Sequence, residues 1–312
     1  MEWAGQVVLK YSIRRFFWII LVLVAVSFIT FSLMHLVPGG PWDRQKELAP
    51  QVIENLNKKY GLDQPFFVQF GHYLWNLLHG DLGLSYTHQD RGVTDIILQG
   101  LPKTATLGIT AFLIALLIGL PLGMAAAVKQ NSIIDYISVF FSTVFASIPG
   151  FVLGIFLVLV FSVSLHLLPT GGWGSVRQVI MPAVALAALP AAYIARVTRA
   201  SMLEVLRQDY IRTARAKGLP ERLVLLRHTL RNALIPVITI TGPELAFLIT
   251  GSFVIENLFS IPGVGRLFVQ GVSNRDYGLI MGTTIFYAFA VAIANYVVDI
   301  LYAVVDPRIR YD

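Results

Sequence analysis

The sequence predicts an all-α integral membrane protein that crosses the bilayer six times. Three observations carry that prediction: charge is scarce, long uncharged windows recur, and the Lys and Arg that remain are unevenly shared among the loops. Charged residues are 13% of the chain and hydrophobic residues 56%, whereas a soluble domain carries about 25% charged residues. A watery surface on 312 residues would be short of charge, so much of the surface is expected to face lipid.

A helix needs roughly 20 apolar residues to cross a hydrocarbon core about 30 Å thick. The first uncharged window is 16–42, and its helix is expected to stop near Val37, because Pro38-Gly39-Gly40-Pro41 breaks it. The window is longer than the about 7–15 residues of a signal-peptide core. It also meets Leu36-Val37-Pro38 where a small-residue cleavage site would stand, so it reads as a retained helix. The second span is 104–128. Window 136–176 is too long for one crossing; Pro169-Thr170-Gly171-Gly172 ends its helix and leaves a third span over about 136–165. Window 178–195 gives a fourth, reaching Arg196 or beyond. The fifth is 232–255, interrupted by Glu244, and the sixth is 277–298.

Orientation follows from Lys and Arg in the short loops. With both termini in the cytoplasm, the inner segments hold fifteen of these residues and the short outer loops only Arg177, Arg266 and Arg275. The segment 38–103 is too long for the rule to apply. Both ends of the chain are therefore expected inside, as an even number of spans requires. There is no cysteine, which excludes disulfides, thiol catalysis and cysteine-based zinc sites. The net charge of +6 would suit nucleic acid on a soluble protein; beneath a membrane it does not.

Two segments lie outside the bilayer. The outer one opens on the Pro/Gly break. Residues 52–60 read as a short amphipathic helix, Gly61-Leu62-Asp63-Gln64-Pro65 as a turn, and 66–79 as a helix with Phe66, Phe70, Tyr73 and Leu77 at helical intervals. That stripe suits packing against neighbouring helices better than a ligand site. The inner segment, 196–231, carries nine basic and three acidic residues. Good helix formers run to Lys217, and Gly218-Leu219-Pro220 is a stop: Gly can take the left-handed cap and Pro cannot continue the helix. A second helix is expected from Glu221, with Leu223, Leu226, Leu230 and Ala233 on one face. Spacing alone allows two readings of this inner segment, a membrane-surface loop whose arginines meet anionic lipid or a docking element for a cytoplasmic partner.

The run Asp209-Tyr210-Ile211-Arg212-Thr213-Ala214-Arg215-Ala216-Lys217-Gly218-Leu219 resembles the coupling loop of bacterial ABC importer permeases. Its wording is that of the dipeptide/oligopeptide/nickel family: Arg212-Thr213-Ala214 stands where the general motif has Glu-Ala-Ala. The resemblance extends through the B-type subunit of that family. Leu36-Val37-Pro38-Gly39-Gly40-Pro41, Tyr60-Gly61-Leu62-Asp63-Gln64-Pro65 and His79-Gly80-Asp81-Leu82-Gly83-Leu84-Ser85 resemble its outer segment. Glu256-Asn257-Leu258-Phe259-Ser260-Ile261-Pro262-Gly263-Val264-Gly265 resembles the loop after the fifth span, and Asp306-Pro307-Arg308-Ile309-Arg310-Tyr311 the C-terminal end.

The resemblance implies a division into 1–103, the first span plus an extracytoplasmic helical segment, and 104–312, a five-helix permease core with its coupling helix at about 209–219. It implies a bacterial inner-membrane location and three kinds of partner besides lipid: a homologous second permease, two ATPase subunits, and an extracytoplasmic solute-binding protein that delivers peptide. Residues Tyr210, Ile211, Arg212, Thr213, Ala214, Arg215, Ala216, Lys217, Gly218 and Leu219 would couple to the ATPase.

The chain has no nucleotide site of its own. A phosphate-cradling loop needs Gly-x-x-x-x-Gly-Lys-Ser/Thr, and none of the seven lysines follows a glycine. No catalytic residues or cofactor are expected here; ATP and Mg belong to the partner ATPase subunits. Glu244 is the one carboxylate deep in an expected span, where a charge costs roughly 2.5–3.5 kcal/mol. It reads either as lining the peptide path or as an internal hydrogen-bonding group. Gly119 and Gly123, like Gly150 and Gly154, form small-xxx-small patterns that let helices approach closely. His72 and His79 lie two turns apart on the outer side. A metal reading is available, because nickel importers exist in the family, but without a third ligand nearby they read as surface residues. The rival functions are the same permease role for nickel or another small solute, an ion-coupled secondary transporter, and a membrane scaffold without transport. An ion-coupled carrier usually buries several ionisable residues and shows repeats with broken helices, and neither is evident here.

Overall fold

The computed structural model describes residues 2–42, 49–88 and 91–305. Among them the only β feature is an isolated bridge between Leu84 and Gly92; the rest of the ordered backbone is helical. The motif Asp306-Pro307-Arg308-Ile309-Arg310-Tyr311 lies outside the described residues. The chain divides into two compact units, one formed by residues up to 104 together with those from 262 onward, the other by 105–261.

The first unit begins with α1 (Glu2–Leu36), followed by α2 (Pro50–Tyr60), α3 (Phe66–Leu78) and the opening turns of α4 (Val93–Val128). The helix α1 stops at the Pro/Gly cluster, as its sequence requires. Gly61 closes α2 in the left-handed conformation, φ 68°, which a residue with a Cβ adopts only at a cost. From the far end of the chain come two more helices of the same unit, α12 (Val264–Asn274) and α13 (Tyr277–Val305). The first span lies along α13, tied at one end by an Arg15–Asp299 ion pair of 2.9 Å and a 2.9 Å bond from the Tyr296 hydroxyl to Ser12. At the other end the buried Asp276 carboxylate accepts from Ser85 Oγ (2.5 Å) and from the backbone N–H groups of Tyr86, Thr87 and Leu279 (each 3.0 Å). One carboxylate thus caps α13 and pins the 83–88 loop to it.

The second unit holds the rest of α4, then α5 (Ile133–Ser147), α6 (Gly150–Leu157) with a π-helical continuation (Val158–Ser164), and α7 (Val176–Leu206). After α7 come the short α8 (Asp209–Ala216), α9 (Glu221–Leu223) with a π-helical turn (Val224–Thr229), α10 (Leu230–Thr250) and α11 (Phe253–Leu258). The centre of the unit is α7, against which α5, α6 and α10 pack. Its buried side is rich in alanine: Ala183, Ala185, Ala187, Ala191, Ala192 and Ala195. Between helices in lipid there is little hydrophobic drive, so association rests on close packing of small residues. The pairing is explicit on α4. A Cβ added at Gly119 would lie 2.7 Å from the Ala191 carbonyl oxygen, and one at Gly123 2.5 Å from that of Ala195. Two ladders of four-residue spacing therefore face each other, and a methyl group on either glycine would force them apart. Gly154 likewise packs on Leu258 and Phe259.

Among the described residues, five helices are long and apolar enough to span a membrane, and the count is six if a bent pair forms one span. That pair replaces the single third helix expected over 136–165. The helices Ile133–Ser147 and Gly150–Ser164 meet at 101°, because Pro149 has no N–H to donate and disfavours the α conformation at the preceding residue; Ile148 is extended, φ −88° and ψ 121°. The fifth expected helix is also shorter than its uncharged window: Gly251, φ 97°, ends α10 at Thr250. By contrast Pro182 and Pro190 in α7, and Pro236 and Pro243 in α10, sit within continuous helices.

Candidate functional site

The loop between α7 and α10 is built as a short helix on a hinge. The end of α7 is closed by Arg207 and Gln208 N–H groups on the Glu204 and Val205 carbonyls. Gln208 is extended (φ −72°, ψ 148°), so the chain turns sharply before Asp209 starts α8. At the other end the Leu219 N–H bonds the Ala214 carbonyl (3.4 Å) and the Gly218 N–H bonds that of Arg215 (2.9 Å). These are the paired bonds of a Schellman cap, with Gly218 as the left-handed residue at φ 74°. Pro220 then starts the next helix.

Only one side of α8 is attached to the body. Ile211 and Ala214 are buried against Val205, Leu219 and Val224, spaced so that they fall on one face. Tyr210, Arg212, Thr213, Arg215, Ala216, Lys217 and Gly218 are exposed. The Tyr210 hydroxyl accepts a 2.7 Å hydrogen bond from Asn232 of α10. Arg215 forks onto Glu221 with bonds of 3.1 and 2.7 Å, which fixes the angle between α8 and α9; the same carboxylate raises the Arg215 pKa further above its ordinary value. The Arg212–Asp209 pair is 3.6 Å and fully in water, so it holds little. A Cβ on Gly218 would meet nothing within 4 Å. The glycine is required by its dihedral angle and leaves open space beside it. The result is a rigid, basic, two-turn helix presenting most of its side chains outward.

An ion pair that local sequence patterns do not reveal joins α5 to α7, buried at its carboxylate and partly exposed at its guanidinium. Asp135, in the first turn of α5, receives Arg199 of α7 in a two-pronged contact: Nε to Oδ1 at 2.6 Å and a terminal nitrogen to Oδ2 at 2.8 Å. The Asn131 N–H adds a third bond at 3.0 Å. Arg199 stands seven residues before the end of α7 at Leu206, about 10 Å along the helix. Within the unit, α8 thus connects to α7 across a two-residue joint, α7 to α5 through this pair, and α8 to the π-helical turn before α10 through the Ile211–Val224 contact. The one sequence signal was Asp135 itself, an acid at the edge of an apolar window.

Glu244 lies in α10, half-buried, with no hydrogen bond or ion pair among the described residues. His72 is exposed, and His79 bonds the Trp75 carbonyl. No group of three or more His, Asp or Glu residues suited to a metal ion occurs among the described residues.

A family model described as the binding-protein-dependent transport system inner membrane component matches residues 119–311, and one for the N-terminal part of such membrane components matches 8–108. The oligopeptide transport system permease protein OppB of Salmonella typhimurium is 44% identical over 305 residues, covering 97% of this chain and 100% of the relative. The dipeptide transport system permease protein DppB of Bacillus subtilis is 42% identical, covering 96% and 98%. Among solved structures, an inward-facing MetNI methionine ABC transporter has a chain that superposes with a TM-score of 0.56 at 20% identity, over 68% of this chain and 96% of that one. A chain of an amino acid ABC transporter with histidines gives 0.53 at 17%, over 67% and 93%. These two likenesses concern the fold alone.

Replacing Arg199 with Ala leaves the Asp135 carboxylate buried with a single backbone donor. Thermal unfolding of the purified protein is expected to show a loss of about 1–3 kcal/mol. A double substitution, Asp135→Ala with Arg199→Met, should recover most of it; equal losses in both variants would contradict a charge-pairing role.

Proposed function

The chain belongs to the binding-protein-dependent transport system inner membrane components, and from that premise we propose that it is the permease subunit of an ATP-driven importer of short peptides. The peptide class is supported by near full-length identity to permeases named for oligopeptide and dipeptide transport. Family membership displaces the ion-coupled carrier and the non-transporting scaffold. As a family member the chain is a multi-pass protein of the bacterial inner membrane.

The observation that carries the mechanism is α8: a capped helix held to the body by Ile211 and Ala214, with its basic face unoccupied by this chain. In the proposed reading both termini are cytoplasmic and 210–219 docks on an ATPase subunit, which holds the ATP and Mg. A second, homologous permease and its ATPase complete the assembly, and an extracytoplasmic solute-binding protein delivers the peptide. Closing the ATPase pair favours one position of α8 over another, and the attached helices follow as rigid bodies. Arg212 and Lys217 supply charge at the contact, Tyr210 a tethered aromatic surface, and Gly218 the sharp end that lets the helix enter a cleft.

Gly218 gives a test that separates docking from folding. In Gly218→Trp the left-handed backbone costs roughly 1–2 kcal/mol, and the ring projects into open space, so the subunit should still insert and assemble. Uptake is expected to collapse while the ATPase subunits keep hydrolysing. Gly218→Asn, which tolerates the same backbone, should retain most uptake; normal uptake by a fully expressed Gly218→Trp would refute the docking role.

For Glu244 the proposed role is in the peptide path, since a half-buried carboxylate in a span without an internal partner faces either that path or the second permease. Glu244→Gln is expected to slow uptake at unchanged expression. Transport equal to that of the parent protein would remove its charge from the mechanism.

A further inference from the structure

The helix α3 carries two apolar faces, and only one of them is used by this chain. Phe66, Phe70 and Tyr73 pack inward on Phe31, Met34 and Met281. On the opposite side Phe67 is 76% exposed, Trp75 64% and Leu78 81%, with Val68 beside them. Phe67, Trp75 and Leu78 follow a spacing of eight and three residues, which keeps them on one side of a helix. The polar residues Gln69, His72 and Asn76 form a third, narrow edge, and they line a cavity of about 320 Å³ beside α3 rather than the exposed apolar side. From Phe66 to Gly80 the sequence has no Asp, Glu, Lys or Arg.

The depth of α3 follows from its partners on α1. The ring centroids of Phe28 lie 6.2 Å from Phe66 and 5.3 Å from Phe70, and those of Phe31 5.0 Å from Phe66. Phe28 and Phe31 belong to the apolar span Ser12–Leu36. Phe28 is eight residues before the end of that helix, about 12 Å along its axis. The first turns of α3 are thus held beside the part of α1 that crosses hydrocarbon, where α1 itself exposes Ile29, Leu33 and Leu36. Thirteen residues make a helix about 20 Å long, too short to cross, so it can only lie along the bilayer or enter it obliquely.

The geometry points to α3 as a lipid-inserted helix: its Phe67–Trp75–Leu78 face is buried among the acyl chains and headgroups of the leaflet at the Leu36 end of the first span, with the Gln69–His72–Asn76 edge turned to the protein's own polar cavity. An uncharged helix with its Trp at the boundary suits that position. Within the proposed orientation this is the outer leaflet, but the inference does not depend on it.

The absence of native cysteine makes the test clean. Phe67→Cys, Trp75→Cys, Leu78→Cys and, as a control on the exposed face of α2, Glu54→Cys would each carry a nitroxide in the whole transporter, reconstituted in phospholipid vesicles. Relaxation by oxygen, which concentrates in lipid, is expected to exceed relaxation by a water-soluble nickel chelate several-fold at 67, 75 and 78, and the order should reverse at 54. The unsubstituted protein provides a second reading: a phospholipid with a photoreactive group in its acyl chain should label the peptide containing 67–78. Dominant relaxation by the nickel chelate would overturn the proposal. So would shielding from both relaxants with no lipid labelling, since a protein partner would then cover the face.

Discussion

Inside a bilayer no water is available to pair with backbone N–H and C=O groups, and this one constraint shapes the molecule. Each crossing segment must satisfy its own backbone, so the chain is drawn into long helices. These can associate only where their surfaces let backbones approach. In the second unit that condition is met by alanine on α7 and glycine on α4: Gly119 and Gly123 lie against the carbonyls of Ala191 and Ala195 with no room for a methyl group. Close packing of this kind transmits displacement instead of absorbing it. The same α7 that forms the centre of the unit runs on to within two residues of α8, which joins the proposed docking helix directly to the packed core.

The polar contacts complement that arrangement. The Asp135–Arg199 pair is the one strong charge contact between α5 and α7, and it stands near the end of α7 that leads to α8. Asp276 does the equivalent work in the first unit, where its carboxylate gathers four donors and fixes the 83–88 loop to the start of α13. A buried carboxylate is tolerated when it is paired or richly hydrogen-bonded: Asp135 meets the Arg199 guanidinium and one backbone N–H, and Asp276 meets four neutral donors. Exposed pairs such as Arg212–Asp209 contribute little to the fold, which leaves the outer face of α8 free for a partner without cost to the subunit.

Much of this was legible in the sequence because lipid simplifies the code. Uncharged windows gave the spans, and Pro or Gly at Pro38, Gly61 and Gly218 gave helix ends, since each alters the backbone locally. The Phe66, Phe70, Tyr73 and Leu77 stripe identified the packed face of α3. Proline alone was ambiguous. Pro149 bends the chain by 101°, whereas Pro182, Pro190, Pro236 and Pro243 lie within continuous helices; neighbouring groups can satisfy the carbonyl that a proline frees, and local sequence does not reveal them. Asp135 and Arg199 are 64 residues apart, beyond any periodicity argument. The second apolar face of α3 went unanticipated because its packed face already explained the periodicity.

The central claim is that α8 is the contact through which an ATP-hydrolysing partner moves the spans. A single cysteine in place of Thr213, on the exposed face of α8, measures it most directly. In the assembled transporter it should react with a membrane-impermeant thiol reagent from the cytoplasmic side only, and a short cross-linker should join it to an ATPase subunit with a yield that changes when ATP binds. Reaction from outside intact cells, or a freely reactive thiol that never cross-links to an ATPase in the complete assembly, would contradict the account.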